Sequence, residues 1–482
     1  MLFNSIDFAI FLPIVFILYW FVTNRNIKYQ NLLIVVASYF FYGWWDWRFL
    51  SLIIFSTGID FCVGLGLSKE DDKFKRKVLL LTSILVNIGF LGFFKYYDFF
   101  LDNFITSFSF FGGEIKGNSL NIILPVGISF YTFQTLSYTI DVYKRKLEPT
   151  KNFIAFAAFV GFFPQLVAGP IERATNLLPQ FYAKRTFDYN KAVDGLRQIL
   201  WGLFKKIVIA DKCAEYANLI FNNSSDYSGS ALVVGALFFT FQIYGDFSGY
   251  SDIAIGTARL FGFNIMRNFA FPYFSRDIAE FWRRWHISLA TWFRDYLYIP
   301  LGGSRGGTWM KIRNVFIIFI VSGFWHGANW TFIVWGALNA IYFLPILLLK
   351  RNRYNLEIVE KGGNIPSIKD FLNIILTFSL VVFAWIFFRA ENIGHALSYI
   401  SNIFSISLFT FPNNIFGFEG LTTLILVMLF VLIEWLGREQ QYAIALLGLK
   451  WKRHLRYTMY YAIIFAIYWF GVKEQQFIYF QF

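Results

Sequence analysis

The 482-residue sequence predicts an all-α integral membrane protein. Hydrophobic residues make up 57% of the chain and charged residues only 15%, and the mean hydropathy is +0.51. Soluble globular domains carry more charge and fewer apolar residues than this. Because one membrane span needs about 20 apolar residues, the length allows about ten or more crossings. We therefore predict a single polytopic domain over residues 1–482, with its core motifs within 124–340.

The predicted spans follow the apolar runs of the chain. They are residues 7–22, 32–45, 49–67, 78–94, 124–143, 152–166, 196–210, 231–255, 315–335, 337–349, 372–388, 421–436 and 460–472. The first run has no basic residue before its apolar core and no small-residue cleavage site, so we expect a retained span and not a signal peptide. Segments 124–143 and 241–256 carry Gly, Gln, Tyr, Ser and Asp, which membranes tolerate only against protein or a wet cavity. We expect these two to be cavity-lining, re-entrant or broken helices.

The basic residues set the predicted topology. The net charge is +13, but the basic residues form short clusters between the apolar runs, at 25–28, 69–77 and 144–151. This pattern is typical of cytoplasmic loops and leaves no basic domain for a nucleic acid. The intervening connections near Asp46 and at 102–121 are poor in charge. The N-terminus is therefore expected outside the cytoplasm.

The segment 281–307, FWRRWHISLATWFRDYLYIPLGGSRGG, has the spacing of an amphipathic helix. Its apolar face carries Trp282, Trp285, Leu289, Trp292 and Tyr296. We predict an interfacial helix with tryptophans at headgroup depth and arginines near lipid phosphates. Its final GGSRGG lacks the ending of a P-loop and predicts a flexible turn, in which Arg305 can contact a phosphorylated donor.

Two of the four histidines lie in polar-aromatic segments of the apolar chain. His326 stands in VSGFWHGANW and His286 in FWRRWHIS. A titratable group in a span costs free energy, so His326 is either a hydrogen-bonded core residue or a functional one. A pair of imidazoles suits acyl transfer, which needs a base for the attacking hydroxyl and a donor for the oxyanion.

Other chemistries find little support in the sequence. There is no HExxH motif and no pair of neighbouring histidines, so we predict no metal site. A Gly-x-Ser-x-Gly nucleophile elbow is absent as well. Cys62 and Cys213 form neither a disulfide framework nor a cysteine-based zinc site.

Several long motifs resemble the membrane-bound O-acyltransferases, and within them the bacterial polysaccharide branch that includes the alginate O-acetylation protein. The motifs span the chain and are NLLIVVASYFFYGWWD, LPVGISFYTFQTLSYTIDVY, FFPQLVAGPIER, QIYGDFSGYSDIAIG, RRWHISLATWFRDYLYIPLGG, SGFWHGANWTFIVWG and FIYFQF. The two histidines of the family match His326 and His286, with no departure at either.

The resemblance implies a helical funnel with a thin centre, in a bacterial inner membrane. A cytoplasmic thioester donor, expected to be acetyl-CoA, and an acceptor on the outer side would meet at the histidines, with no bound cofactor. Bacterial polysaccharide relatives work with an extracytoplasmic acetyltransferase-like partner that acylates the polymer. Other relatives O-acetylate peptidoglycan, transfer D-alanine to teichoic acid or lipidate secreted proteins.

The residues and the resemblance together give a predicted site. His326 acts as general base or acyl-handling residue and His286 orients or polarises the thioester carbonyl, although these roles can be exchanged because sequence gives no distance. We expect Asp246 to pair with Arg283 or His286. The other predicted cavity or substrate residues are Gln242, Tyr244, Ser248, Arg283, Trp285, Trp325 and Asn329.

Alternatives remain open at this point. The polar residues of 241–256 could form a helix-packing network and no binding site. A transporter for an acyl group or small molecule would also place polar residues in broken helices, and a scaffold for an export complex would need neither histidine.

Overall fold

Helices make up the regular structure of the chain. The computed structural model describes residues 1–110, 112, 120, 122–363, 365–413, 415, 417–471 and 475–478, and these residues contain no strand. Six described helical segments are long and apolar enough to cross a membrane: Ile27–Lys69, Lys73–Phe110, Gly229–Leu260, Trp330–Leu348, Ile368–Arg389 and Phe418–Leu436. The predicted all-α membrane class is confirmed. Most of the connection 111–121 and the last four residues of FIYFQF lie outside the described residues.

The chain separates into two compact units, residues 1–192 with 258–266 and residues 193–257 with 267–482. The first unit contains eight described α-helices. They are α1 (Ile6–Ile17), α2 (Ile27–Asp46), α3 (Leu50–Lys69), α4 (Lys73–Leu91), α5 (Tyr97–Phe110), α6 (Ile128–Tyr143), α7 (Phe153–Val160) and α8 (Ala174–Leu177).

The polar segment 124–143 forms the buried centre of the first unit. Its helix α6 is unbroken and buried along almost its whole length. The Thr139 hydroxyl donates to Asp60 of α3 at 3.1 Å, and the Gln134 amide donates to the Phe159 carbonyl at 2.6 Å. The expected break is therefore wrong here, and polar side chains of α6 bond to neighbouring helices.

The second unit carries both predicted histidines. It contains most of α9 (Tyr189–Leu203), which continues through a π-helical stretch (Phe204–Ala210) into α10 (Asp211–Asn222), and most of α11 (Gly229–Leu260). It also contains α12 (Ile278–Arg284), α13 (Ile287–Phe293), α14 (Thr308–His326), α15 (Trp330–Leu348), α16 (Ile368–Arg389), α17 (Ile393–Ile403), α18 (Phe418–Leu436) and α19 (Arg453–Phe470). α11 runs unbroken, so a break within 241–256 is wrong, but residues of this segment line two cavities, as the cavity-lining alternative predicts.

A tight helical hairpin of α14 and α15 positions His326. The predicted spans 315–335 and 337–349 are wrong in their boundaries, because the chain turns between His326 and Trp330. Asn329 caps α15, its Oδ1 accepting the Thr331 N–H at 3.0 Å. A β-carbon at Gly336 would strike the backbone of the facing helix at Phe319. Glycine therefore permits the close approach of the two helices.

Candidate active site

His286 lies at a break between two short helices. α12 ends at Arg284, Trp285 is extended, and His286 adopts the left-handed conformation with φ 44° and ψ 53° before α13 begins. A non-glycine residue in this conformation costs of order 1–3 kcal/mol and persists only where its surroundings enforce it. The predicted continuous amphipathic helix through residues 282–296 is therefore wrong, and the break places backbone strain on a predicted catalytic residue.

Asn268, in the loop before α12, holds this break in place. Its backbone carbonyl accepts the Ile287 N–H at 2.9 Å, and its side-chain Oδ1 accepts the Ser288 N–H at 3.3 Å and the Ser288 hydroxyl at 2.9 Å. The same oxygen lies 3.1 Å from Nδ1 of His286. Asn268 thus satisfies the first N–H groups of α13, which explains why the helix restarts there. Sequence reasoning missed Asn268, because no periodic pattern marks a loop residue 18 positions from its partner.

His326 is the last residue of α14 and is buried in an aromatic cluster. The ring centroid of Trp325 lies 4.8 Å from that of His326 and 6.0 Å from that of His286. His326 also packs edge-on against Trp335 at 5.3 Å and Phe388 at 5.2 Å. Trp325 therefore packs against both imidazoles.

Both histidines line one cavity of about 270 Å³. Its other buried lining is largely aromatic and aliphatic and includes Trp285. Arg294, Ser304 and Arg353 also line it and are exposed. The cavity therefore extends from two buried imidazoles to an exposed end that carries two arginines.

Burial determines the charge of His286. Its side chain is 1% exposed, and desolvation lowers the pKa of His286 to about 3. The imidazole is consequently neutral at physiological pH. Two imidazoles in an apolar cavity provide the proton-accepting and hydrogen-bonding groups that acyl transfer to a hydroxyl requires.

Asp246 belongs to a buried ion network and not to the histidine cavity. Its carboxylate lies 2.9 Å from Nζ of Lys206 and accepts the Ile478 N–H at 2.7 Å. Lys206 also pairs with Asp211 at 2.8 Å. The expected partners of Asp246 are wrong, because the π-helical stretch after α9 brings this lysine to it. Sequence alone did not reveal the lysine, since it lies within an apolar run in an earlier part of the chain.

Arg283 makes a structural contact elsewhere. Its guanidinium donates to the carbonyls of Asn352 at 2.8 Å and Asn355 at 2.6 Å. These bonds attach α12 to the segment after α15, which contributes Arg353 to the cavity. Arg283 therefore supports a segment of the cavity wall and does not line the cavity itself.

The remaining predicted residues fall into separate environments. The Tyr244 hydroxyl donates a hydrogen bond to Glu434 at 2.5 Å. The residue Tyr244 also lines an apolar cavity of about 450 Å³ between α16 and α18. Ser248 lies beside Asn268 and Ser251 in a small polar pocket, and Gln242 is buried on α11. Asn329 is the helix cap described above. Arg305 lies in an exposed turn next to Ser304, which confirms the turn expected of GGSRGG.

Metal-ligating side chains do not gather in the described part of the chain. Among these residues, no three or more His, Cys, Asp or Glu side chains form a group that could hold a metal ion. The histidine cavity itself offers two imidazoles, aromatic walls and the arginines at its exposed end. These are the groups available to a substrate that enters it.

Comparison with known proteins places this site in a family. The profile of the membrane-bound O-acyltransferase family matches residues 144–388, which contain both histidines. A Pseudomonas aeruginosa protein described as a probable alginate O-acetylase is 40% identical over 449 residues, covering 92% of this chain and 82% of its own length. The Helicobacter pylori peptidoglycan O-acetyltransferase is 36% identical, and the match covers 84% of this chain and 80% of that protein. The Bacillus subtilis teichoic acid D-alanyltransferase is 26% identical, and the match covers 57% of this chain and 71% of that protein.

The family match covers half of the chain, and the first of these relatives matches nearly all of it. Transfer by this family consumes an acyl donor as co-substrate. The chain belongs to the membrane-bound O-acyltransferase family and is an acyltransferase of the membrane.

Proposed function

We propose that this protein transfers an acetyl group from acetyl-CoA in the cytoplasm towards an extracytoplasmic polysaccharide. The single observation that carries the proposal is the cavity that His286 and His326 line together. The relatives described as alginate O-acetylases support the acetyl group and the polymer, at 40% identity over most of the chain. An extracytoplasmic acetyltransferase-like partner would deliver the group to the polymer, as the resemblance implies.

The reaction needs one proton transfer and one exchange of bonds at the acyl carbon. One imidazole accepts the proton of the acceptor hydroxyl while the oxygen attacks the thioester carbonyl. A second hydrogen-bonding group stabilises the oxyanion, and the carbon–sulfur bond then breaks. The proton leaves with the thiol. The apolar walls of the cavity limit access of water, which would otherwise hydrolyse the thioester.

The exposed end of the cavity suits a phosphorylated thioester. Arg294 and Arg353 line this end, and guanidinium groups bind phosphate with paired donors. Arg305 in the neighbouring turn adds a third positive charge nearby. The donor is therefore proposed to enter with its phosphates at the arginines and its acetyl group at the histidines.

The orientation of the protein follows from its basic clusters. Clusters at 25–28, 69–77 and 144–151 would lie in the cytoplasm, with the N-terminus outside the bacterial inner membrane. The chain is proposed to function as one polytopic domain.

Peptidoglycan remains an alternative acceptor, since a peptidoglycan O-acetyltransferase is 36% identical. D-Alanyl transfer to teichoic acid is a weaker alternative, because the teichoic acid D-alanyltransferase has a lower identity to this chain and covers less of it.

The test measures polymer-bound acetyl in cells that produce the native chain, His286→Ala or His326→Ala at equal membrane levels. His454→Ala is the matched control, because His454 is exposed on α19. We expect both cavity variants to lose acetylation with normal polymer yield and the control to keep it. Normal acetylation in both cavity variants would favour a transporter or scaffold. Wall analysis for acetylated peptidoglycan distinguishes the two O-acetyl acceptors.

A further inference from the structure

We propose that the apolar cavity between α16 and α18 binds the acyl chain of a phospholipid from the cytoplasmic leaflet, as a structural ligand of this unit. The cavity measures about 450 Å³ and has a different lining from the histidine cavity. Its size falls within the roughly 300–1,000 Å³ of cavities that bind small molecules. The inference goes beyond the proposed acetyl transfer and does not depend on it, because lipid binding is measured without turnover.

The cavity opens towards the hydrocarbon of the membrane. Its rim carries Phe371 and Ile375 of α16 and Met428 and Leu432 of α18, which are 45–55% exposed. Both helices are long and apolar enough to cross a membrane. The exposed side chains of the rim therefore face lipid chains and not water, and a lipid chain has direct access to the cavity.

The polar side chains at the floor of the cavity already have partners. The two carboxylate oxygens of Glu434 accept the Tyr244 hydroxyl at 2.5 Å and the indole N–H of Trp201 at 3.2 Å. The Tyr273 hydroxyl donates to the Thr240 carbonyl at 2.7 Å. A polar ligand or a group of waters would find few free partners here, whereas an acyl chain needs none.

The volume of the cavity favours a chain over a helix of a partner protein. Two turns of an α-helix are about 11 Å long and 10–12 Å across, so they occupy about 850 Å³ or more. The cavity of about 450 Å³ is smaller than this. A single acyl chain is much narrower than a helix and can pass between the rim residues to reach the floor.

The basic residues of the flanking segments identify the leaflet. Segments 350–369 and 438–456, which precede or begin α16 and follow α18, carry five Lys or Arg residues each. Segment 390–417, at the other ends of both helices, carries none. The cavity is lined by the first turns of α16 and the last turns of α18. By the positive-inside rule it therefore lies in the cytoplasmic half of the membrane.

Two lysines near this end of the cavity suit a phosphate headgroup. Pro366 lines the cavity just before α16 begins. Lys361 and Lys369 lie on either side of Pro366 along the chain, and both are exposed. Exposed lysines at the cytoplasmic surface attract anionic lipid. A phospholipid can thus place its headgroup near these charges and its chain in the cavity.

The floor of the cavity also supports a wall of the histidine cavity. The ring centroid of Tyr273 lies 5.2 Å from that of Phe378 on α16 and 5.9 Å from that of Trp285. Trp285 precedes His286 and lines the histidine cavity. An unfilled cavity would leave the rings of its floor without contacts on one side. A bound chain supplies these contacts, so the lipid should stabilise the folded unit.

Tryptophan substitutions that fill the cavity test the proposal. Ile374→Trp on α16 and Val431→Trp on α18 bring a large side chain into the cavity from opposite sides. The matched controls are Leu376→Trp and Leu429→Trp on the same two helices. Leu376 and Leu429 are 61% and 50% exposed and lie outside the cavity lining.

The experiment measures bound phospholipid and its effect on stability. The full chain is extracted from membranes, exchanged exhaustively into fresh detergent and analysed by native mass spectrometry. We expect a retained phospholipid on the native chain and both controls, and about tenfold less or none on the filled variants, whose side chains clash with it. Dioleoylphosphatidylglycerol added in mixed micelles should raise the Tm of the delipidated native chain and controls, because a ligand of the folded state stabilises it. The filled variants should gain clearly less.

Three results would overturn the proposal. A native chain that retains no phospholipid would show that the cavity does not bind one. Equal retention and an equal rise in Tm in the filled variants and the controls would show that lipid binds elsewhere. Equal loss of lipid in the controls would show that any added tryptophan on these helices displaces it. If one filled variant does not fold, the other carries the test from the opposite helix. The proposed acetyl transfer stands or falls separately, on the variants of His286 and His326.

Discussion

The buried charges around Asp246 predict a specific pattern of instability. Lys206 lies between Asp246 at 2.9 Å and Asp211 at 2.8 Å, and all three side chains are at most 7% exposed. Lys206→Met removes the cation that lies between these two buried carboxylates, which should cost about 3–5 kcal/mol of unfolding free energy. Asp246→Asn keeps the pair of Lys206 with Asp211 and should cost about 1–3 kcal/mol, because the Ile478 N–H loses a charged acceptor.

A double variant tests whether Lys206 and Asp246 interact directly. Lys206→Met with Asp246→Asn removes one cation and one anion, so its cost should fall short of the sum of the single costs by about 0.5–3 kcal/mol. Unfolding free energies are measured by denaturant titration in mixed micelles. Lys75→Met is the control, because Lys75 is 68% exposed, pairs with Glu70 at 3.5 Å and should change stability by at most about 1 kcal/mol.

Two results would refute this reasoning. Additive costs would show that Lys206 and Asp246 do not interact across the folded unit. Loss of acetyl transfer in Asp246→Asn with unchanged stability would return Asp246 to the substrate-binding role expected from the sequence.

Two further predictions concern the hairpin and the cavity. Gly336→Val should destabilise the protein by about 1–3 kcal/mol, since the new side chain meets the backbone of the facing helix, and the measurement is the unfolding free energy in mixed micelles. Arg353→Gln and Arg294→Gln should each raise the KM for acetyl-CoA about tenfold with little change in kcat, because a charged hydrogen bond contributes about 1.5–3 kcal/mol. Arg305→Gln should have a smaller effect in the same assay.

Each of these predictions has an outcome that would contradict it. A Gly336→Val protein of native stability would mean that α14 and α15 are farther apart than the structure places them. Equal KM values for all three arginine variants would mean that the donor phosphates bind elsewhere.

The sequence was sufficient for the fold class and for singling out two histidines that share a cavity. Composition alone indicates a membrane protein, because 57% hydrophobic and only 15% charged residues lie outside the usual range of soluble domains. His286 and His326 stood out because imidazoles are rare in apolar segments. Each was predicted for its chemistry, and the structure brings both to one cavity.

What the sequence did not reveal depends on contacts between distant segments. Helical spacing over 282–296 predicts one helix, but the bonds from Asn268 to Ile287 and Ser288 interrupt it. The polar residues of α11 suggest a cavity, but Lys206 neutralises Asp246 from another segment. Local patterns contain no information on such pairings, so the break at His286 and the partners of Asp246 emerge only from the folded chain.

The most direct test of the central claim compares His286→Ala, His326→Ala and the double variant in one assay of acetyl-CoA turnover. If the two imidazoles act in a single transfer step, each substitution should reduce kcat about 100-fold or more, and the double variant should be little worse than either single variant. Independent, multiplying losses would contradict a shared step. Turnover at the native rate in either single variant would remove that histidine from the mechanism.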